Sequence, residues 1–98
     1  MNRIGINLWN WSNEPLREYE TWISRAADMG FGAVELPMTD LDGVCWEKVG
    51  QLAREKDLEI TMCASLPSGR DISSFKGEER ENAREYLLRC CRIGGILG

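Results

Sequence analysis

Three times along this chain, a short β-rich apolar run gives way to a longer stretch with apolar residues at three- and four-residue spacing. The runs are Ile4-Gly5-Ile6-Asn7-Leu8-Trp9, Ala33-Val34-Glu35-Leu36-Pro37 and Leu58-Glu59-Ile60-Thr61-Met62-Cys63-Ala64. Each has strand length and residues that suit a pleated, buried surface. The first helical pattern opens at Glu14-Pro15-Leu16, where Pro fits the first turn and Ser12 or Asn13 can cap it. It carries Leu16, Tyr19, Ile23, Ala26 and Ala27 on one stripe and stops at Gly30. The second runs from 44 to about 57, with Asp40 and Asp42 as caps and Val49, Leu52 and Ala53 facing inward. A polar loop from 65 to 77, containing Pro67, leads to the third, from about 78 to 93. Its core stripe is Ala83, Tyr86, Leu87, Cys90 and Ile93, and the charge run Glu78-Glu79-Arg80-Glu81 is its solvated, dipole-favourable start. Strands alternating with helices of this length build βαβ units, a parallel sheet and right-handed crossovers.

Gly94-Gly95 reads as the end of the third helix, and Ile96-Leu97-Gly98 as the first residues of a fourth strand. A parallel strand is normally covered on both faces and paired with neighbours. A strand that has only begun therefore predicts that residues 1–98 are one part of a larger domain. No linker or low-complexity tract divides them. Two α/β parents share the pattern: an open doubly wound sheet and a (β/α)8 barrel. The first strand–helix turn lacks Gly-x-Gly-x-x-Gly, and there is no phosphate-cradling loop, which weighs against a nucleotide-binding open sheet. Periodicity alone leaves the choice open.

The net charge of −4 and the absence of a basic stripe predict no nucleic-acid partner. No apolar run approaches the ~20 residues needed to cross a bilayer, and the N-terminus has no signal-peptide pattern, so no membrane partner is expected. Cys45, Cys63, Cys90 and Cys91 include no Cys-x-x-Cys, and the chain has no histidine. They read as free thiols of a reducing cytoplasm rather than as a zinc site. Cys90 and Cys91 are adjacent on a helix, so at most one of them is buried.

Specific residues narrow the fold. Asn2-Arg3-Ile4-Gly5-Ile6, Trp9, Trp11 and the Pro15-Leu16 helix start come first. Ala26-Ala27-Asp28-Met29-Gly30-Phe31-Gly32-Ala33-Val34-Glu35-Leu36-Pro37 follows, then Ile60-Thr61-Met62-Cys63-Ala64 and Gly69-Arg70-Asp71-Ile72-Ser73-Ser74. In this order they resemble the N-terminal part of the sugar phosphate isomerase/epimerase family, the xylose-isomerase-like barrels, over essentially the whole chain. The nearest members are the D-tagatose/D-psicose 3-epimerases. The resemblance implies three βα units plus the start of strand 4 of a (β/α)8 barrel. It implies metal-dependent chemistry on ketoses, with manganese or magnesium holding adjacent sugar oxygens. One glutamate removes a proton to give an enediolate, and a second returns it to the other face. The family's ligands (two glutamates, an aspartate and a histidine) lie in the second half of the barrel. No catalytic residue and no metal ligand therefore carries over to this chain, and the piece alone is expected to be inactive. The implied partner is a sugar or sugar phosphate, with association between copies as a further expectation.

Barrel sites lie at the C-terminal ends of the strands, here Asn7 to Trp11, Glu35 to Met38 and Cys63 to Leu66. The candidate substrate-binding residues are Asn7, Trp9, Trp11, Glu35, Cys63 and Ala64. The tryptophans suit a sugar wall, or one is core and the other rim. Glu35 needs a partner inside a barrel, and Cys63 is either pocket or core. Asn7 and Ala64 stand where the ketose epimerases contact substrate. Those enzymes usually have an aromatic residue at the Asn7 position and another where Pro15 stands. Arg70 and Asp71 read as pins for their loop. Two other functions fit the residues: a half-barrel that self-associates through open sheet edges, and a small open α/β ligand-binding domain.

Overall fold

The computed structural model describes residues 3–64, 66 and 69–98; Asn2, Ser65 and Pro67 lie outside them. The elements are β1 (Gly5–Asn7), α1 (Tyr19–Asp28), β2 (Ala33–Met38), α2 (Trp46–Glu55), β3 (Glu59–Ala64) and α3 (Gly77–Leu97). The strands form one parallel sheet, as the strand–helix alternation predicts, and their order is β1-β2-β3.

The register fixes which residues share a face, because successive strand side chains point to opposite sides. Val34, Leu36 and Met38 are fully buried and face the helices, joining Leu8, Ile23, Ala26, Val49 and Ala53 in the core. Each such aliphatic side chain contributes roughly 1.5–3 kcal/mol on burial. The opposite face carries three levels in register: Gly5, Ala33 and Glu59; Asn7, Glu35 and Thr61; then Pro37 and Cys63. No helix covers this face among the described residues. Proline in a central strand ordinarily breaks a ladder. Pro37 is tolerated because the hydrogen-bonding groups of Val34, Leu36 and Met38 serve β3. Its own missing N–H points towards β1, which ends at Asn7, one level short of it.

Both short helices end in the same hydrogen-bonded motif. After α1, Gly30 N–H donates to Ala27 C=O and Phe31 N–H to Ala26 C=O, each at 3.0 Å, with Gly30 at φ 89°. After α2, Asp57 and Leu58 repeat the pattern onto Arg54 and Ala53, and Asp57 takes the left-handed conformation at φ 55°. Arg3 ties this turn to β1. Its guanidinium donates to the Asp57 carbonyl at 2.7 Å and the Gly32 carbonyl at 3.3 Å, and lies 3.5 Å from the Glu59 carboxylate.

Three boundaries differ from the sequence expectation. The first strand stops at Asn7 instead of running through Trp9, because Leu8–Asn10 forms a 3-10 turn capped by Asn7 Oδ1, which accepts from Trp9 N–H at 2.9 Å. The first helix starts at Tyr19, since Ser12 Oγ accepts from Glu14 N–H inside a preceding turn. In the same way Asp40 caps a loop turn at Asp42, and α2 starts at Trp46.

The fourth strand is a larger correction. Residues 96 and 97 are helical, and α3 runs through Gly94 and Gly95 to Leu97. Leu97 continues the buried series Tyr86, Cys90, Ile93 at three- and four-residue spacing. Gly94 packs against Met62: a Cβ at this position would lie 2.9 Å from Met62 Cε, the terminal methyl of a flexible side chain. Gly95 faces open space with ordinary helical backbone. Gly95→Ala will therefore stabilise the chain by about 0.5–1 kcal/mol, through helix propensity and a less flexible unfolded state, read as a raised Tm. A lowered Tm would mean that the helix stops before Gly95.

Candidate functional site

The site candidate is the uncovered sheet face and its upper rim. Glu35 sits at its centre, half-buried, with Thr61 Oγ1 donating to Glu35 Oε2 at 3.4 Å from the neighbouring strand. Asn7 is in register on the other side. Its Oδ1 is occupied by the cap to Trp9, and its carbonyl accepts from Asn10 Nδ2 at 2.9 Å. Asn7 therefore shapes the turn at the rim with its oxygens, while its side-chain amide nitrogen keeps its donors. Cys63 is half-buried one level higher, opposite Pro37.

The remaining candidates separate from this group. Trp9 is 42% exposed on the turn after β1. Trp11 packs with Trp22 and Phe31, ring centroids 6.1 and 6.4 Å away, and the Arg25 guanidinium lies 5.2 Å from its ring. It belongs to an aromatic cluster against α1. Ala64 is exposed at the end of β3, and the pleat places it on the face opposite Cys63. The face thus brings together Asn7, Glu35 and Cys63, and does not bring Trp11 or Ala64 to them. It adds Thr61, which the sequence reading missed. The period-2 alternation of β3, aligned with Glu35, was the signal that could have found it.

The loop before α3 is pinned locally. The Asp71 carboxylate accepts from Ser73 N–H at 2.9 Å and Ser73 Oγ at 2.7 Å. Those hydrogen bonds hold it below the usual carboxylate range. Arg70 lies 4.9 Å from the Tyr86 ring. A cleft of about 550 Å³ lies between the loops after β1 and β2, lined by Leu16, Arg17, Tyr19, Asp40 and Asp42. Its Arg17 is already paired with Glu14 at 2.9 Å.

The chemistry of these side chains is limited. Among the described residues, no group of three or more His, Cys, Asp or Glu is placed to hold a metal ion, and the chain has no histidine. Its described residues do not fit a divalent-metal centre. Burial pushes the Cys90 thiol up, whereas Cys45 and Cys91 are exposed. At mildly alkaline pH iodoacetamide will therefore alkylate Cys45 and Cys91 first and Cys90 last, as read by peptide mass mapping. Early labelling of Cys90 would mean that α3 is not seated on the sheet. No helix among the described residues is long and apolar enough to cross a membrane.

No family model matches the chain. Solved structures do. L-ribulose 3-epimerase superimposes with a TM-score of 0.89 over 100% of this chain and 33% of its own, at 26% identity. D-psicose 3-epimerase from Clostridium cellulolyticum H10, solved with D-tagatose, gives 0.88 over 98% of this chain and 34% of its own, at 19% identity. D-allulose 3-epimerase from Methylomonas sp. gives 0.88 with the same coverage, at 22% identity. The last two likenesses speak for fold alone. The chain spans about a third of the length of these proteins. Its fold is that of a partial (β/α)8 barrel, superimposing on about a third of L-ribulose 3-epimerase.

Proposed function

We propose that this chain is the N-terminal part of a ketose epimerase and forms one wall of its sugar pocket. The observation that carries the reading is the superposition of the entire chain on L-ribulose 3-epimerase. Trp9 at the rim, Cys63 at the upper level, and the Glu35–Thr61 pair below it with Asn7 alongside are the wall. Trp11 and Ala64 support it from behind. The substrate is a sugar or sugar phosphate, and the reaction is proton removal beside the ketose carbonyl with return to the opposite face. Two groups on opposite faces are needed for inversion. One strand layer lies on a single side of the substrate, so at least one of those groups stands outside this chain. The metal that such chemistry uses likewise needs donors from elsewhere. What the chain's own residues do is bind, orient and exclude water. The four free thiols favour a cytoplasmic setting.

The test is hydrogen exchange of a ketose at C3 in D2O. The chain alone will give no exchange above buffer. A chimaera in which it replaces the corresponding third of L-ribulose 3-epimerase will exchange C3–H when manganese is supplied. Exchange by the chain alone would place the chemistry within these residues. A chimaera that unfolds cooperatively yet does not exchange would overturn the assignment to this enzyme class.

A further inference from the structure

Two arginines from different elements meet beside Tyr86. Arg70, in the loop before α3, is half-buried and lies 4.9 Å from the centre of the Tyr86 ring. A cation–π contact leaves the guanidinium's N–H donors unspent. Among the described residues no carboxylate stands within ion-pair distance of Arg70. Arg89, on α3, meets Asp42 of the turn before α2 at 2.6 Å through one nitrogen, and its other donors remain. Between the two runs a groove of about 550 Å³, lined by Gly69, Arg70, Asn82, Glu85, Tyr86 and Arg89. Burial chiefly pushes the nearby Cys90 thiol up, and both Arg89 and Arg70 act to draw it down, so the two cations bear on one point.

The groove is bounded by units that the chain contains. Asn82, Glu85 and Arg89 form one flank of the buried stripe Ala83, Tyr86, Cys90 and Ile93. Arg89 turns that flank towards the β2–α2 turn. A following barrel unit packs against the other flank, which carries Leu87, Cys91 and Gly94. Tyr86 and Met38 are buried in the helix layer, whereas Glu35 and Cys63 face the opposite side of the sheet. The groove is therefore separate from the sugar wall.

We propose that this groove binds a phosphate group, held by Arg70 and Arg89 from two sides with the Asn82 amide as a further donor. A planar carboxylate is satisfied by one guanidinium fork. Two forks from different elements suit a tetrahedral anion, whose oxygens point in several directions. The lining carries two positive charges against the single negative charge of Glu85, which faces any bound anion as a like charge. This inference is independent of the epimerase reading.

The test is NMR titration of the 15N-labelled chain with inorganic phosphate at fixed ionic strength. The Arg70 and Arg89 side-chain N–H signals and the Asn82 and Glu85 amides will shift saturably. Arg70→Gln and Arg89→Gln will each weaken binding about tenfold or more, the loss of a charge-assisted contact. Glu85→Gln, at an exposed position, will tighten it, an effect in the direction that damage to the fold cannot produce. Lys56→Gln, beyond the far end of α2, will leave it unchanged. Tighter binding of methyl phosphate than of phosphate would identify an ester as the ligand, and weaker binding free phosphate. Three results would overturn the proposal: shifts that rise linearly without saturating, acetate binding as tightly as phosphate, or K56Q weakening binding as much as R70Q.

Discussion

Leu36→Ala will lower the stability of the chain by about 2–5 kcal/mol. Leu36 is fully buried in the middle of β2, flanked on the same face by Val34 and Met38 and paired with Met62 of β3. The site has little room to collapse, because its neighbours are held by the ladder. Domains of this size have ~5–15 kcal/mol in total, so the loss is a large fraction of what keeps the chain folded. The urea midpoint will fall with the slope unchanged. Thr61→Ala is the control. Thr61 is exposed on the other face, and its loss will stay within about 0.5 kcal/mol. If the two variants exchange magnitudes, the helix layer lies on the wrong side of the sheet.

That contrast also explains what the sequence could and could not convey. Buried residues announce themselves by periodicity. Ile23 and Ala26 in α1, Val49 and Ala53 in α2, and Ala83, Tyr86, Cys90 and Ile93 in α3 all lie where their spacing put them. The parallel direction of the strands followed from the alternation, whereas their order β1-β2-β3 did not, because a doubly wound sheet with β1 between β2 and β3 shows the same alternation. Boundaries failed wherever a polar side chain had two uses. Asn7, Ser12 and Asp40 each cap a local turn, which no propensity distinguishes from capping a helix or continuing a strand. Gly94-Gly95 misled for a different reason. Two adjacent glycines ordinarily end a helix, but one of these makes room for Met62, a contact between residues 32 positions apart that a local reading cannot contain. The candidate site was legible to the same degree. Glu35 and Cys63 share the open face as strand residues must, whereas Trp11 turned away because Trp22, Phe31 and Arg25 offered it a cluster. A tryptophan in a loop fits a sugar wall and a core equally well until its neighbours are known.

Tyr86→Phe will cost about 1–3 kcal/mol and will do so at the mouth of the site rather than in the core. Tyr86 is buried on α3, and its hydroxyl donates to the carbonyl of Met38, the last residue of β2. The substitution keeps the ring and its contact with Arg70, because a phenyl face attracts a guanidinium as a phenol face does. What it removes is the donor to a buried carbonyl, and a hydrogen bond lost in a buried setting carries a desolvation cost. Hydrogen exchange will accelerate at the end of β2 and over the middle of α3 while the centre of β2 keeps its protection. A second readout separates this from simple loosening. Cys90 lies one turn further along α3 and is buried. Its alkylation under native conditions will stay slow if α3 remains seated on the sheet, whereas a general loosening of α3 would speed it. Unchanged labelling together with faster exchange at Met38 is the expected pair, and faster labelling would mean that the substitution unseats α3 as a whole.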